Sequence, residues 1–309
     1  MTPPGQRRIV GVDEQEIINI AQRLMRANPR AVRVAIGDDC AVYRPPGATQ
    51  DMVFTTDMLH EDVHFTMATH TAEDVGWKAM ARGLSDIAAM GAQPRFALLS
   101  LALTAAADLQ WVEGFYRGLL KAGVPVIGGD LARTSKLSCD IIVCGGVPAG
   151  KALLRSAAQA GDGIFVSGLL GGSAAGLRTR RGKPWRRHLH PEPRLQLGSF
   201  LRKKRLANAC MDISDGISAD LWRIARASGI AAHLDGKLPL FPGATIGEAL
   251  HGGEDYELLF TAPARAQVPD KFEGLPLTRI GTVGAEKQVT VTWKGKVLEP
   301  LGFDHFEER

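Results

Sequence analysis

Aspartates follow short apolar runs four times in this sequence. Gly37-Asp38-Asp39 comes after Val34-Ala35-Ile36, Thr55-Thr56-Asp57 after Met52-Val53-Phe54, Gly128-Gly129-Asp130 after Val124–Ile127, and Asp212-Ile213-Ser214-Asp215-Gly216 after Met211. The apolar runs have the β-branched and aromatic character of buried strands. Carboxylates just beyond strand ends are where open α/β sheets build ligand sites. If the strands lie side by side, the carboxylates converge, and a converged cluster repels itself unless it holds cations. Oxygen ligands of this kind suit Mg²⁺ bridging a substrate's phosphates. Taken singly, each aspartate reads as a cap or turn residue. Asp86 reads singly as a helix-surface partner of Arg82, a pair worth about 0.3–0.5 kcal/mol. Their shared position at strand ends speaks for a phosphate site with several cations.

The elements that would position these residues follow from apolar periodicity. Asp13 caps a first helix, with Glu16 at the capping-box position and Ile17, Ile20, Ala21 and Leu24 at helical spacing until Pro29. Glu73–Met90 is a second helix that carries Asp86; Trp77, Met80, Ala81, Leu84, Ile87 and Ala88 form its apolar face, and Gly91 stops it. Phe96–Leu103 is a strand, and Leu109–Ala122 a helix with Leu109, Val112, Tyr116, Leu119 and Leu120 inward. Val124–Ile127 and Leu137–Val147 are strands. This alternation predicts an α/β domain over residues 1–147. After Pro148 the chain is richer in Gly and Arg, and a second α/β unit is predicted over 148–309. It starts with the strand Ile164–Ser167 and the glycine-rich turn Gly168–Gly176, and has helices over Glu192–Leu201 and Gly216–Ala227. Strands are expected near Ala231–Leu234, Tyr256–Thr261 and Val289–Trp293.

Composition sets the frame: 309 residues, 45% hydrophobic and 23% charged, have room for two cores without covalent staples. Cys40, Cys139, Cys144 and Cys210 show no CxxC spacing, so buried free thiols in a reducing cytoplasm are expected. No stretch reaches the roughly 18 continuous apolar residues of a membrane span, and MTPPGQRRIV lacks the apolar core of a signal peptide. The net charge of +4 is concentrated in Arg178–His190 and Arg202–Arg205. The Arg178–Arg205 region therefore raises a nucleic-acid-binding alternative. However, Trp185 alone is too few aromatics for base stacking, and a solvated loop or a flap that meets phosphates is the preferred reading. Gly145–Lys151 has the glycine and lysine spacing of a Walker A loop, but Ala152 stands where a metal-binding hydroxyl belongs and Pro148 removes a backbone donor. It is read as a decoy. Gly171–Gly176 (GGSAAG) remains a candidate for close backbone approach or a helix start.

In order along the chain, the motifs carry a resemblance. IGDDCAV (36–42), TTDMLHEDVHF (55–65), LSDIAAMGAQP (84–94), IGGDLAR (127–133), ALLRSAAQAGD (152–162), SGLLGGSAAGL (167–177), MDISDG (211–216), GGEDYELLFT (252–261) and GFDHF (302–306) cover nearly the whole sequence. Together they resemble the thiamine-monophosphate kinase family of the aminoimidazole-ribonucleotide-synthetase superfamily. The resemblance implies a two-domain fold whose N-terminal half forms a dimeric, barrel-like sheet and whose C-terminal α/β half completes the site. It implies a homodimer that transfers the γ-phosphoryl group of ATP to thiamine monophosphate, with several Mg²⁺ ions. The implied metal ligands are Asp39, Thr55, Thr56, Asp57, Asp86, Asp130, Asp212 and Asp215. The implied ATP contacts are Gly129, Asp130, Arg155 and Ser214, and His64, Glu254 and Phe303 would meet thiamine monophosphate. No covalent nucleophile or general base is expected, because the attacking group is already an anionic phosphate oxygen. A sibling ATP-dependent synthetase with another small substrate is the alternative within the superfamily. The chain departs from the family in short segments between Leu177 and Pro191 and between Pro239 and His251, and in His60-Glu61-Asp62.

Overall fold

A computed structural model of the chain describes residues 14–25, 29–286 and 288–303. The expected cap at Asp13, His305, and the Asp304–Phe306 end of the last motif lie outside the described residues. The N-terminal part runs α1 (Glu14–Leu24), β1 (Val32–Val34), β2 (Ala41–Tyr43), β3 (Gln50–His60), α2 (Ala72–Ala89), β4 (Gln93–Leu103), α3 (Leu109–Leu120), β5 (Val126–Arg133) and β6 (Ser138–Pro148). Its strands form one sheet in the order β1-β2-β3-β6-β4-β5, antiparallel except for the β4–β5 pair.

Two of the four aspartate-bearing runs do not end where the sequence suggested. β3 pairs with β6 without a break from Gln50↔Pro148 to His60↔Ser138, so Thr55, Thr56 and Asp57 lie in mid-strand. The pleat then divides them: Thr55 and Asp57 share a face with Val53 and Leu59, and Thr56 points to the other face. β5 likewise continues through Gly128-Gly129-Asp130. It is an edge strand, so its outer side can carry glycine and charge, and Gly129 sits at a bulge where a Cβ would lie 1.7 Å from Leu99 O.

The core of this half lies between the sheet and α2. Val53, Leu59, Leu99, Ile141 and Val143 meet Met80, Leu84 and Ile87 there. α2 starts from Thr71, whose capping box with Asp74 satisfies the first backbone donors. α3 lies against α2 through glycines: a Cβ on Gly76 would be 2.0 Å from Phe115 O, and one on Gly118 2.0 Å from Glu73 O. The inward face of α3 is therefore Gly114, Phe115, Gly118 and Leu119. Leu109 and Leu120, expected inward, are 87% and 47% exposed, because contact is made along the glycine stripe rather than the leucine one.

The C-terminal part follows a 3₁₀ turn at Arg155–Ala157 and runs β7 (Gly163–Ser167), α4 (Gly172–Thr179), α5 (Gly182–Leu189), α6 (Leu195–Lys204), β8 (Cys210–Asp212), α7 (Ile217–Ser228), β9 (Ala231–Leu234), α8 (Ile246–His251), β10 (Leu258–Ala262), β11 (Lys271–Phe272), β12 (Leu275–Val283), β13 (Thr290–Trp293) and β14 (Lys296–Val297). Its sheet has the order β14-β13-β9-β12-β7-β10-β8, with β11 paired to β12. The arginine-rich stretch read as a loop contains α5. Few apolar residues mark it, since α5 is held by its fit to α4, where a Cβ on Gly176 would lie 2.3 Å from Pro184 O. A third cluster joins the halves: Ala88 and Ala89 of α2 pack with Leu197, Leu201, Cys210, Leu258 and Phe260. Gly198 permits it, for a Cβ there would meet Ala88 O at 1.9 Å. All four cysteines are buried and free. No helix among the described residues is long and apolar enough to cross a membrane.

These close glycine contacts give a stability prediction. Gly76→Ala forces α2 and α3 apart and should cost about 1–3 kcal/mol in urea unfolding. Gly247→Ala, inside α8 with its nearest atom 3.9 Å away, should be neutral or stabilising by about 0.5–1 kcal/mol.

Candidate active site

A cavity of about 640 Å³ opens between the two halves, with Asp39, Thr55, Asp57 and Asp86 contributed by one and Arg155, Asp212, Ser214 and Asp215 by the other. Asp86 is carried by the last turn of α2, Asp212 ends β8, and Asp39 precedes β2. One carboxylate oxygen from each of these three lies within 4.8 Å of the others. Asp212 Oδ2 accepts a hydrogen bond from Ser85 Oγ at 2.6 Å, and Asp86 Oδ2 accepts one from the Thr55 hydroxyl. Asp39 Oδ1 accepts from Arg155 Nη2 at 2.5 Å, while its Oδ2 is buried with no hydrogen-bond partner. Burial, followed by the neighbouring carboxylates, pushes the Asp86 and Asp212 carboxyls well above the usual range. Three converging acids with an orphaned oxygen and raised carboxyls fit a hard divalent cation such as Mg²⁺.

Guanidinium groups hold the surrounding acids. Arg82 Nη2 donates to Asp57 Oδ1 at 2.7 Å. Arg223 Nη1 donates to Asp215 Oδ2 at 2.5 Å and to Asp220 Oδ1 at 2.6 Å. Arg155 is fixed at both ends, its backbone N–H donating to Asp38 Oδ2 at 3.1 Å. Burial and the adjacent Asp39 raise the Asp38 carboxyl to about 7.

Most residues singled out from the sequence meet in this one cavity, including His64, Glu254 and Phe303. Gly129 and Asp130 do not. They sit exposed on β5, three strand spacings from β3, or roughly 14 Å. Thr56 borders the cavity, but its hydroxyl donates to Asp140 Oδ1 at 2.7 Å on the other face of the sheet. The GGSAAG turn offers no open phosphate cradle, because the Gly171 and Ser173 N–H groups donate to Asp255 at 2.5 and 3.2 Å. Gly145 and Gly146 are paired within β6, so the Walker-like spacing begins in a strand and runs into the turn that follows it rather than forming a phosphate loop before a helix. Within the basic region, Arg178 is tied to Glu248, and Arg187 and Arg194 to the buried Glu257. These ties favour a structural role for the region over an open nucleic-acid surface.

Sequence reasoning missed a buried cation. Lys78 is fully buried on α2 and donates to Glu254 Oε2 at 2.9 Å, His64 O at 3.0 Å and His188 Nε2 at 3.5 Å. Burial, the largest single influence, opposes ionisation of Glu254, but Lys78, His188 and Arg82 together outweigh it and the carboxyl falls to about 2. The His188 ring accepts from Lys78 at Nε2 and therefore carries its proton at Nδ1, 2.9 Å from Ser173 Oγ. Burial and Lys78 push His188 down to about 3 and His70 to about 4, so both rings are neutral. The only signal in the sequence was a lysine amid the apolar positions of α2. Glu254 is brought to Lys78 by a tight turn: it has φ +63°, and Cβ atoms on Gly252 and Gly253 would strike Glu248 O and Ser214 O at 2.4 and 2.5 Å.

Comparisons with known proteins show the family of the chain. The family model for the AIR synthase related protein N-terminal domain matches residues 37–149, and that for the C-terminal domain matches 159–294. The thiamine-monophosphate kinase of Escherichia coli (strain K12) is 37% identical over an alignment 320 positions long, covering 91% of this chain and 94% of that protein. The Rhodopirellula baltica enzyme of the same name is 37% identical over 322, covering 95% and 98%. A solved structure of AaThiL complexed with AMPPCP and TMP superposes with a TM-score of 0.84 at 33% identity, covering 97% of this chain and 99% of that one.

Two stability predictions follow from the buried network. Lys78→Met strands the Glu254 carboxylate and should cost about 3–5 kcal/mol in urea unfolding, with the Lys78→Met/Glu254→Gln pair recovering most of the loss. The unfolded chain takes up protons on His70 and His188 near their ordinary value of 6.5, which the folded rings refuse until about pH 4 and 3. Stability should therefore fall as pH drops from 6.5 towards 4, and His188→Gln should flatten that slope in pH-dependent unfolding.

Proposed function

Since the chain belongs to the thiamine-monophosphate kinase family of AIR synthase related proteins, we propose that it transfers the γ-phosphoryl group of ATP to thiamine monophosphate, giving thiamine diphosphate and ADP. The observation that carries this reading is the pairing of sites along α2. Asp86 belongs to the carboxylate cluster, and eight residues earlier, about 12 Å along the helix, Lys78 anchors Glu254. One cavity thus offers a place for metal-bound phosphates and a second for the rest of an acceptor.

Asp39, Asp86 and Asp212 would hold Mg²⁺, with Asp57, Asp215 and the Thr55 hydroxyl at the same wall. When bound, Mg²⁺ neutralises the charge of two phosphate-bearing reactants that otherwise repel. Arg155 and Ser214 would contact the nucleotide, and Arg155 is suited to bridge phosphate oxygens with its planar fork. His64, Glu254 and Phe303 would contact thiamine monophosphate, the phenyl ring giving an apolar face. The attacking phosphate oxygen is already anionic, so transfer proceeds in line and directly, without a phosphoenzyme. Free buried thiols are compatible with a cytoplasmic enzyme.

The exposed edge β5 supports a homodimer. Ile127 and Leu131 are 61% and 69% exposed there, and Met58 on the sheet face is 53% exposed, leaving apolar surface for a second copy of the sheet. We assign Gly129 and Asp130 to the nucleotide bound by the partner, since their own cavity lies strands away.

Purified protein with Mg²⁺, ATP and thiamine monophosphate should yield thiamine diphosphate and ADP one to one, with no product from free thiamine or without metal. Asp86→Asn should lower kcat by at least about 100-fold with folding retained. Mixing inactive Asp86→Asn and Asp130→Asn subunits should restore about a quarter of wild-type activity if Asp130 acts across a two-fold dimer. No recovery on mixing would place Asp130 in its own subunit's site.

A further inference from the structure

Part of the cavity wall is built from rings. Trp185 of α5 stacks on His188 with ring centres 5.1 Å apart and planes 15° apart, and meets His70 edge-on at 5.4 Å. Phe65 meets His70 edge-on at 6.1 Å. All four rings line the cavity, as does Glu254. Of the five tryptophans only Trp185 lines the cavity; Trp111, Trp222 and Trp293 pack against the two cores, and Trp77 donates its indole N–H to Pro191 O at 2.9 Å. Trp185 makes no hydrogen bond among the described residues and is half-buried. Its ring is braced by neighbours yet borders open space.

The electrostatics of this wall are selective. His70 and His188 are neutral, and the Lys78 ammonium is engaged by Glu254 Oε2. Of the arginines that line the cavity, Arg82, Arg155 and Arg223 are ion-paired with Asp57, Asp39 and Asp215, and Arg180 has no ion pair among the described residues. Glu254 Oε1 is buried without a hydrogen-bond partner. An indole face that shares a cavity with a carboxylate suits a flat ring that carries positive charge, and tryptophan is the strongest cation–π partner among side chains.

We propose that Trp185 is the specificity-determining residue of the acceptor compartment, its indole braced by His188 and His70 and stacking on the positively charged thiazolium ring of the substrate. This rests on the kinase reading of the same cavity and adds the ring chemistry that the cavity selects. It also gives the unusual α5 segment a task, since Gly176 and Pro184 bring α4 and α5 together and so set Trp185 against the cavity.

The test compares wild type, Trp185→Ala and Trp185→Phe, each checked by thermal melting, on thiamine monophosphate and on an uncharged thiazole phosphomonoester. Trp185→Ala should raise KM for thiamine monophosphate on the order of 10-fold with KM for ATP unchanged, and should erase the preference for the charged ring. Trp185→Phe should keep part of that preference. Tryptophan fluorescence titrated with thiamine monophosphate without ATP gives a readout independent of turnover: wild type should be quenched, and Trp185→Phe should lose most of the quenching. Unchanged KM and preference in folded Trp185→Ala, or quenching that survives in Trp185→Phe, would overturn the proposal. A wild type that is quenched but forms no thiamine diphosphate would instead sink the kinase reading and leave the ring site standing. Absence of quenching in wild type would overturn the ring site whether or not turnover occurs.

Discussion

Three carboxylates that repel one another are buried where two sheets meet, and much of the architecture serves to keep them there. Asp39 and Asp86 come from one half and Asp212 from the other, so the cluster exists only when the halves are docked. Burial makes this arrangement unfavourable by itself, which the raised Asp86 and Asp212 carboxyls record. What offsets it is apolar packing next door, where Ala88 and Ala89 meet Leu258 and Phe260, together with the Ser85–Asp212 hydrogen bond across the seam. The close approach of α6 at Gly198 belongs to the same contact. Stability and function are therefore set against each other within a few residues of α2.

α2 is the common reference for the whole cavity. One of its faces packs on the N-terminal sheet, glycines at another admit α3, and its end meets the C-terminal half. A helix clamped on several sides has little freedom to tilt, so Lys78 and Asp86 keep a fixed separation. That rigidity matters for a reaction in which two phosphate groups must be aligned in line, because a small misplacement is costly in rate. The GGEDYE turn answers from the other half: its backbone is pressed against α8 and Ser214, and the strained Glu254 conformation is held by the Lys78 ion pair.

The sequence made the aspartate framework legible because carboxylates after apolar runs are a local pattern. Asp39, Asp57, Asp212 and Asp215 line one cavity as that pattern implied, whereas Asp86, on a helix, is expected there only through the family resemblance. It misjudged strand ends at Thr55–Asp57 and Gly128–Asp130, since threonine is a good strand former and an edge strand tolerates glycine and charge, and neither fact marks a boundary. α5 escaped because its stability comes from a glycine-mediated fit to α4 rather than from an apolar stripe. Lys78 escaped for a related reason: Glu254 lies 176 residues away, and long-range pairing leaves no trace in spacing. Trp185 reads as a lone aromatic because its contact with His70 of the other half is equally invisible in spacing.

Charge balance around the cavity distinguishes the acids by task. Asp39, Asp57 and Asp215 each have an arginine, namely Arg155, Arg82 and Arg223. Asp86 and Asp212 have only hydroxyl donors, Thr55 and Ser85. A hydroxyl orients a carboxylate without neutralising it, whereas a guanidinium removes most of its need for a cation. Burial pushes the carboxyls of both acids without arginine well above the usual range, and each places an oxygen within 4.8 Å of one from Asp39. Within this cluster three acids are thus paired with arginines, and Asp86 and Asp212 are left to hydroxyl donors, an arrangement that suits an external cation.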